Sequence, residues 1–148
     1  MCSGRWAKRF IQKIMRGFTC GSFDVLHIGH LMMFEDCKKH CDHLIVGLHT
    51  DPTIDRPKEK NKPIQTIYER YMQLRACKFV DEIIPYDTEE DLYNLLVSVR
   101  PDVRFMGSDW EGKPNFSRDK LPNMKVIYNR REHSFSSTNL RNRIKNAK

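Results

Sequence analysis

The sequence lacks any long hydrophobic run, since no stretch approaches the roughly 18 consecutive apolar residues of a membrane-spanning helix. It also has no internal repeat and no low-complexity tract, which excludes a repeat array. Cysteine is scarce, and the five cysteines are odd in number and follow no secretory leader. A disulfide framework is therefore not expected, and a reducing compartment, the cytoplasm, is predicted. The 148 residues, 39% hydrophobic and 30% charged, fit one globular domain.

Acidic residues are too few to balance the basic ones, and the formal net charge is +7. The excess lies at the two ends, because residues 1–17 carry +5, residues 125–148 carry +6, and the segment between them carries −4. A helix-turn-helix, a zinc finger and an aromatic RNA-binding stretch are missing, and the cysteines and histidines between residues 37 and 43 fit no zinc spacing. A basic nucleic-acid-binding module is therefore only the non-enzymatic alternative, and no nucleic-acid partner is expected.

Short apolar segments alternate with helical stretches after residue 15. The predicted strands are Gly17–Cys20, His43–His49, Glu82–Pro85, Val103–Met106 and Lys125–Tyr128, and the predicted helices are 28–41, 66–79, 88–99 and 138–146. This order predicts an α/β fold, a Rossmann-like three-layer α/β/α domain with a five-stranded parallel sheet. The domain is assigned to residues 16–148.

Two irregular segments follow predicted strands and are expected to border a ligand site. Asp51–Pro63 contains three prolines and four basic residues, and Gly107–Pro122 follows the fourth strand. In open parallel sheets, ligands bind beyond the carboxyl ends of the strands, which is where both segments emerge.

Residues 1–15 are predicted to form a basic amphipathic extension outside the domain. Trp6, Phe10 and Ile14 recur at helical spacing among basic residues. A helix that docks on the domain, or a native start at Met15, is favoured over a membrane-surface helix or a transit peptide.

Residues 21–30, GSFDVLHIGH, join the first predicted strand to the first predicted helix. His27 and His30 are three residues apart at a helix start, so they share one face beside backbone N–H groups that have no partner within the helix. A helix N-terminus favours phosphate, the imidazoles add donors, and Gly29 lets an anion approach the backbone closely. The passage therefore predicts a phosphate-binding site.

This passage resembles the G-x-F-D-x-x-H-x-G-H signature of the cytidylyltransferase family, which belongs to the HxGH nucleotidyltransferase superfamily. Three further segments fit the family in order, namely Tyr68–Arg70 leading into Phe79–Glu82, then Met106–Lys113, then Arg131–Thr138. The string DWEGK is most similar to that of glycerol-3-phosphate cytidylyltransferases. A class I aminoacyl-tRNA synthetase, which shares the histidine motif, is excluded by the chain length and by the absence of a KMSKS-type loop.

The resemblance implies an enzyme that transfers CMP from CTP to a phosphorylated alcohol, first of all glycerol 3-phosphate, and releases pyrophosphate. Mg²⁺ is the implied cofactor, and a homodimer is the implied assembly. The residues implied as catalytic are His27, His30, Arg70, Arg131 and Asp24, of which Asp24 is also the implied metal ligand. Those implied in nucleotide binding are Ser22, Phe23, His27, His30, Gly107, Ser108, Arg131, Ser136 and Ser137, and those implied in acceptor binding are Lys58, Lys60 and Lys62.

Two departures from the family pattern leave the substrates open. Glu132-His133-Ser134 replaces T-E-G in the last motif, and Ser108 stands where the family has an acidic residue. CTP with phosphocholine or phosphoethanolamine, or adenylyl transfer from ATP, therefore remain alternatives. Asp24 also has a simpler alternative role, as the cap of the first helix.

Overall fold

The computed structural model describes residues 12–148. The strands are β1 (Arg16–Gly21), β2 (His43–His49), β3 (Glu82–Tyr86), β4 (Val103–Gly107) and β5 (Val126–Asn129). The helices are α1 (Ile28–Lys38), α2 (Ile67–Ala76), α3 (Glu89–Val99), α4 (Phe116–Asp119) and α5 (Ser137–Lys145), with a short 3₁₀ turn at Ser108–Trp110. All five predicted strands are present within one or two residues of their expected bounds.

All neighbouring strands of the sheet are parallel, in the order β3-β2-β1-β4-β5. The central strand β1 pairs with β2 on one side and with β4 on the other. The strands β2 and β3 are therefore added on one side of β1, and β4 and β5 are added on the other side. This topology confirms the predicted Rossmann-like α/β fold. It also places a crevice at the carboxyl ends of β1 and β4, the position at which open α/β sheets bind ligands.

Helices cover both faces of the sheet and complete the three predicted layers. On one face, Phe34 of α1 and Leu74 of α2 are fully buried against Phe105 of β4 and its neighbours. On the other face, Leu92 and Leu96 of α3 pack on the buried side chains of β1, β2 and β3. The near-continuous burial of β2 reflects this double covering, as expected for a parallel strand.

The helix starts follow from local capping chemistry. Thr66 and Thr88 each accept a hydrogen bond from the backbone N–H three residues on, and the acidic side chains of Glu69 and Asp91 complete the two capping boxes. The predicted ends of α1 and α2 are about three residues too late. In α2 the correction has a clear cause, because Cys77 adopts an extended backbone that leads the chain towards β3.

The two segments predicted to be irregular are more structured than expected. Gly107–Pro122 contains the 3₁₀ turn and α4, and the Asn115 side chain caps the start of α4. Within 51–63, Asp55 accepts a hydrogen bond from the backbone N–H of Glu89 at 2.6 Å, and Arg56 pairs with the Glu89 carboxylate at 3.0 Å. The loop after β2 is therefore fastened to the start of α3.

The predicted N-terminal extension lies mostly outside the described residues, and the part that is described, residues 12–15, is not helical. Among the described residues, no helix has the length and apolar character needed to cross a bilayer.

Candidate active site

Two neighbouring cavities open at the carboxyl ends of β1 and β4. The histidine cavity has a volume of about 320 Å³, and its wall includes His27, His30, Ser108, Arg131 and His133. The sheet cavity has a volume of about 300 Å³, and its wall includes Cys20, His49, Arg56, Tyr86 and Arg104. Met33 and Gly107 line both, so the two cavities share a boundary.

The two histidines of α1 hold each other in place at the start of the helix. His27 is the N-cap, and its Nδ1 accepts a hydrogen bond from the backbone N–H of Gly29 at 3.0 Å. The Nδ1 of His30 faces the backbone N–H of His27 at 3.4 Å, and the two rings stack with their centroids 3.9 Å apart. The cap of α1 is thus His27 and not Asp24, which was the alternative considered from the sequence.

Gly29 makes this arrangement possible. A Cβ atom at this position would lie 2.8 Å from Cε1 of His27 and 3.1 Å from Cε1 of His133, both closer than ordinary contact. The absence of a side chain therefore lets two imidazoles close over the first turn of α1.

Backbone hydrogen bonds assign the same tautomer to all three imidazoles. His133 repeats the pattern of the α1 pair, because its Nδ1 accepts from the backbone N–H of Phe135 at 3.2 Å. An Nδ1 that accepts leaves the ring proton on Nε2 in the neutral form. Three Nε2–H donors therefore lie around one cavity, and that of His27 is 3.2 Å from the Ser137 hydroxyl oxygen.

Burial keeps the α1 histidines neutral. It lowers the pKa of His30 to about 3, with further lowering from the neighbouring His27 and Arg131. Burial also lowers the pKa of His27, and the neighbouring Arg131 and His133 lower it further. At neutral pH both rings thus act as neutral hydrogen-bond donors, while Arg131 supplies fixed positive charge.

These shifts predict that acidification destabilises the fold. Because the pKa of His30 is about 3 in the folded state and about 6.5 when unfolded, the unfolded state binds more protons as the pH falls between these values. The free energy of unfolding is expected to fall from pH 7 to pH 5, and to fall by roughly 1–2 kcal/mol less in His30→Gln. Denaturant titrations of both proteins at the two pH values test this, and equal losses would contradict it.

The N-terminus of α5 also lies beside the histidine cavity. Ser136 is its N-cap and accepts from the backbone N–H of Asn139 at 3.0 Å, and Ser137 follows in the first turn against His27. Two helix N-termini, which both favour anions, therefore adjoin here. Gly107, Ser108 and Arg131 line the cavity as well, so these predicted nucleotide-binding residues are brought together.

The model of the cytidylyltransferase-like family matches residues 18–145. The chain belongs to the cytidylyltransferase-like family. Relatives named bifunctional protein HldE share 34% identity with it over 132 residues in Campylobacter fetus subsp. fetus, and 37% over 110 residues in Wolinella succinogenes. These matches cover 86% and 74% of this chain but 27% and 23% of the relatives, so the chain spans about a quarter of their length.

Solved structures share the same fold. The lipopolysaccharide core biosynthesis protein from Thermoplasma volcanium GSS1 is 26% identical, with a TM-score of 0.63, over 83% of this chain and all of that protein. Pantoate-beta-alanine ligase from Francisella tularensis is 18% identical, with a TM-score of 0.59, over 90% of this chain and 67% of that protein. At 18% identity, the similarity to the ligase shows a shared fold and nothing about function.

Arg70 lines neither cavity of the cytidylyltransferase-like domain, and its predicted phosphate contact remains a prediction. Its side chain is only 2% exposed. The guanidinium donates to four backbone carbonyls, those of Gln65 at 3.2 Å, Ser22 at 2.9 Å, His49 at 2.7 Å and Thr50 at 2.6 Å. Arg70 therefore joins the loop after β1 to the loop after β2 and acts on the site by positioning.

Asp24 also supports the site from behind. Its carboxylate accepts from the backbone N–H groups of Ile64 and Gln65, both at 2.9 Å, and from Arg141 at 2.5 Å. Burial alone would raise the pKa of Asp24, but these hydrogen bonds and the Arg141 charge hold it below its ordinary value. These three donors already engage the Asp24 carboxylate, and the metal site predicted at Asp24 remains a prediction.

These supports hold a strained segment of the loop between β1 and α1. Phe23 and Val25 have φ angles of 47° and 50°, in the left-handed region that costs of order 1–3 kcal/mol for such residues. The backbone N–H of Val25 donates to Gln65 at 2.8 Å, beside the Asp24 contacts. Phe23 is 6% exposed and packs edge-on against His30, so it supports the histidine and does not line the cavity. Ser22 borders the sheet cavity.

The loop lysines separate from one another. Lys60 lines the sheet cavity, whereas Lys58 and Lys62 are exposed and line neither cavity. Residue patterns did not identify several basic groups that line the cavities, among them His133, Arg56 and Arg104. For Arg104 a signal exists in the sequence, because a basic residue stands between apolar ones in a predicted buried strand.

Proposed function

We propose that this cytidylyltransferase-like domain transfers a nucleotidyl group from a nucleoside triphosphate to the phosphate of a phosphorylated sugar or polyol and releases pyrophosphate. One observation carries the proposal, namely the convergence of three imidazoles, Arg131 and two helix N-termini on the histidine cavity. Such an array binds a triphosphate and favours the negative charge that grows on it during transfer.

The chemistry needs no base from the protein. A phosphate monoester is largely ionised at neutral pH, so its oxygen attacks the α-phosphorus without first losing a proton. A bond forms from that oxygen to the α-phosphorus, the bond from the α-phosphorus to the bridging oxygen breaks, and the electron pair leaves with pyrophosphate. Catalysis therefore consists of positioning and charge stabilisation, which neutral donors and a fixed cation supply.

The two cavities suggest where each substrate lies. The triphosphate occupies the histidine cavity, and the acceptor occupies the sheet cavity, whose wall carries Arg56 and Lys60. The acceptor phosphate meets the α-phosphorus at the shared boundary near Gly107. In this proposal Lys60, which lines the sheet cavity, is the one of the three predicted loop lysines that contacts the acceptor.

A sugar phosphate is favoured over glycerol 3-phosphate as the acceptor. The support is the likeness to a lipopolysaccharide core biosynthesis protein, since lipopolysaccharide cores are built from sugars. CTP remains the first nucleotide to test, by resemblance to the cytidylyltransferases, and ATP is the alternative. A homodimer and Mg²⁺ remain predictions, and Mg²⁺ belongs in the assay because this ion is commonly bound through substrate phosphates.

A screen of pyrophosphate release tests the proposal. CTP, ATP, GTP and UTP are each combined with sugar 1-phosphates, glycerol 3-phosphate, phosphocholine and phosphoethanolamine. Release is expected only when a triphosphate and a phosphorylated acceptor are both present. Release with ATP but not CTP would replace the cytidylyl assignment by adenylyl transfer, and release that ignores the acceptor would contradict the proposed reaction.

A further inference from the structure

The sheet cavity is lined by a buried arginine that forms no ion pair with any acidic residue in the described range 12–148. Arg104, in the middle of β4, is 2% exposed. Its Nη1 donates to the Ser117 hydroxyl at 2.8 Å, and its Nη2 lies 3.9 Å from the Cys20 sulfur. Its Nε has no hydrogen-bond acceptor among the described residues.

The contrast with Arg70 shows how few oxygen acceptors surround the Arg104 guanidinium. Arg70, equally buried, directs its guanidinium at four carbonyl oxygens, each carrying partial negative charge. Among the described residues, the side-chain partners of the Arg104 guanidinium are a hydroxyl oxygen and a sulfur atom. A buried charge with unsatisfied donors costs free energy, and such groups in native proteins call for an explanation such as a ligand.

The surroundings of Arg104 favour an anion. Arg56 and Lys60 line the same cavity, and the acidic Glu89 in its wall is already engaged by Arg56 at 3.0 Å. Cys20 and Tyr86 also line the cavity, and burial raises the pKa of the Tyr86 hydroxyl well above its ordinary value. The lining thus has a surplus of positive charge beside a buried guanidinium whose Nε–H has no acceptor among the described residues.

The position of Arg104 separates it from the reacting phosphates. It precedes Gly107, at the shared boundary, by three residues of β4, or roughly 10 Å along a strand. Its side chain projects on the face covered by α3 and α4, because Val103 and Phe105 pack on the opposite face with α1. An acceptor whose phosphate lies near Gly107 would therefore direct its far end towards Arg104.

We propose that Arg104 binds an oxyanion, a carboxylate or a second phosphate, at the end of the acceptor remote from the reacting phosphate. The assignment of the sheet cavity to the acceptor rests on the proposed function, whereas the oxyanion site itself does not. Arg104 is then a specificity-determining residue that selects acceptors with two anionic groups over singly charged ones.

Nuclear magnetic resonance of the arginine Nε–H groups tests the site without turnover. The Arg104 resonance is identified by its absence from Arg104→Lys, with Arg75→Lys, an exposed arginine on α2, as the matched control. The protein is titrated with sodium phosphate, with sodium glucuronate, with glucose, and with sodium chloride at equal ionic strength. A saturable shift of the Arg104 signal is expected with an oxyanion, in the wild type and in His30→Ala, and not with glucose or chloride.

The outcomes separate the two sources of the oxyanion and the two proposals. A shift with phosphate alone assigns a second phosphate, and a shift with glucuronate alone assigns a carboxylate. No shift with either, or a shift that disappears in His30→Ala, would overturn the oxyanion site. Absence of turnover in the pyrophosphate screen, together with an oxyanion-dependent shift, would instead refute the proposed reaction and leave the site standing.

A kinetic comparison follows once the enzyme turns over. Glucose 1-phosphate and glucuronate 1-phosphate differ only at C6, which is a hydroxymethyl group in the first compound and a carboxylate in the second. The wild type is expected to favour glucuronate 1-phosphate in kcat/KM, and Arg104→Met to lose that preference by about tenfold or more, as for a lost charge-assisted hydrogen bond. An unchanged ratio in Arg104→Met would show that Arg104 only supports the fold.

Discussion

Replacing His30 with alanine is expected to lower turnover about 100-fold or more, the range seen when one preorganised donor is removed from a developing negative charge. His30 lines the histidine cavity, its Nδ1 is held towards the His27 backbone, and its Nε2–H has no acceptor among the described residues. Because no general base is needed, this loss should appear in kcat and not as a displaced pH optimum. The measurement is steady-state pyrophosphate release with saturating substrates.

His40→Ala provides the matched control for this prediction. His40 follows the C-terminal end of α1, is exposed and lines neither cavity, so its removal should leave turnover unchanged. Circular dichroism of both variants checks that the fold is retained. Turnover close to that of the wild type in His30→Ala would remove the histidine pair from the mechanism.

Replacing Arg70 with methionine is expected to lower the free energy of unfolding by about 3 kcal/mol or more, since several buried carbonyls lose their donor at once. The melting temperature should fall by roughly 6–12 °C for a chain of this size. Arg70→Lys should recover only part of the loss, because one ammonium cannot reproduce the fork that spans Ser22, His49 and Thr50.

Thermal and denaturant unfolding measure this effect, with Arg75→Met on the exposed face of the same helix as the control. The control should change the stability by less than about 0.5 kcal/mol. A normal melting temperature combined with weak triphosphate binding in Arg70→Met would instead support the phosphate contact that the sequence motif predicted. That result would contradict the positioning role derived from the carbonyl contacts.

The features that could be predicted from the sequence depend on neighbours along the chain. Strand β2 is a continuous apolar segment, and the caps at Thr66 and Thr88 are each completed three residues later. The pairing of His27 with His30 is local as well, because both interact within the first turn of α1. Such interactions are recorded in the spacing of the residues and need no knowledge of the tertiary fold.

The roles of Arg70 and Asp24 could not be predicted because their partners come from separate segments. The carbonyls around Arg70 come from the loop after β1, from the end of β2 with the residue after it, and from residue 65, and Asp24 meets Arg141 from α5. A motif identifies both residues as important, yet only the packed structure shows that they act by fixing the loop that carries His27. The position of His133 at the cavity could not be predicted for the same reason, because His133 comes from the separate segment before α5.

The most direct test of the proposed reaction follows the label of a nucleoside triphosphate into products. The protein is incubated with an acceptor from the screen and with triphosphate labelled at either the α- or the γ-phosphorus. Nucleotidyl transfer predicts that the α-label enters the acceptor product and that the γ-label is recovered entirely in pyrophosphate. Transfer of the γ-label to the acceptor, or its release as inorganic phosphate by a pyrophosphatase-free preparation, would contradict the assignment of the histidine cavity to attack at the α-phosphorus.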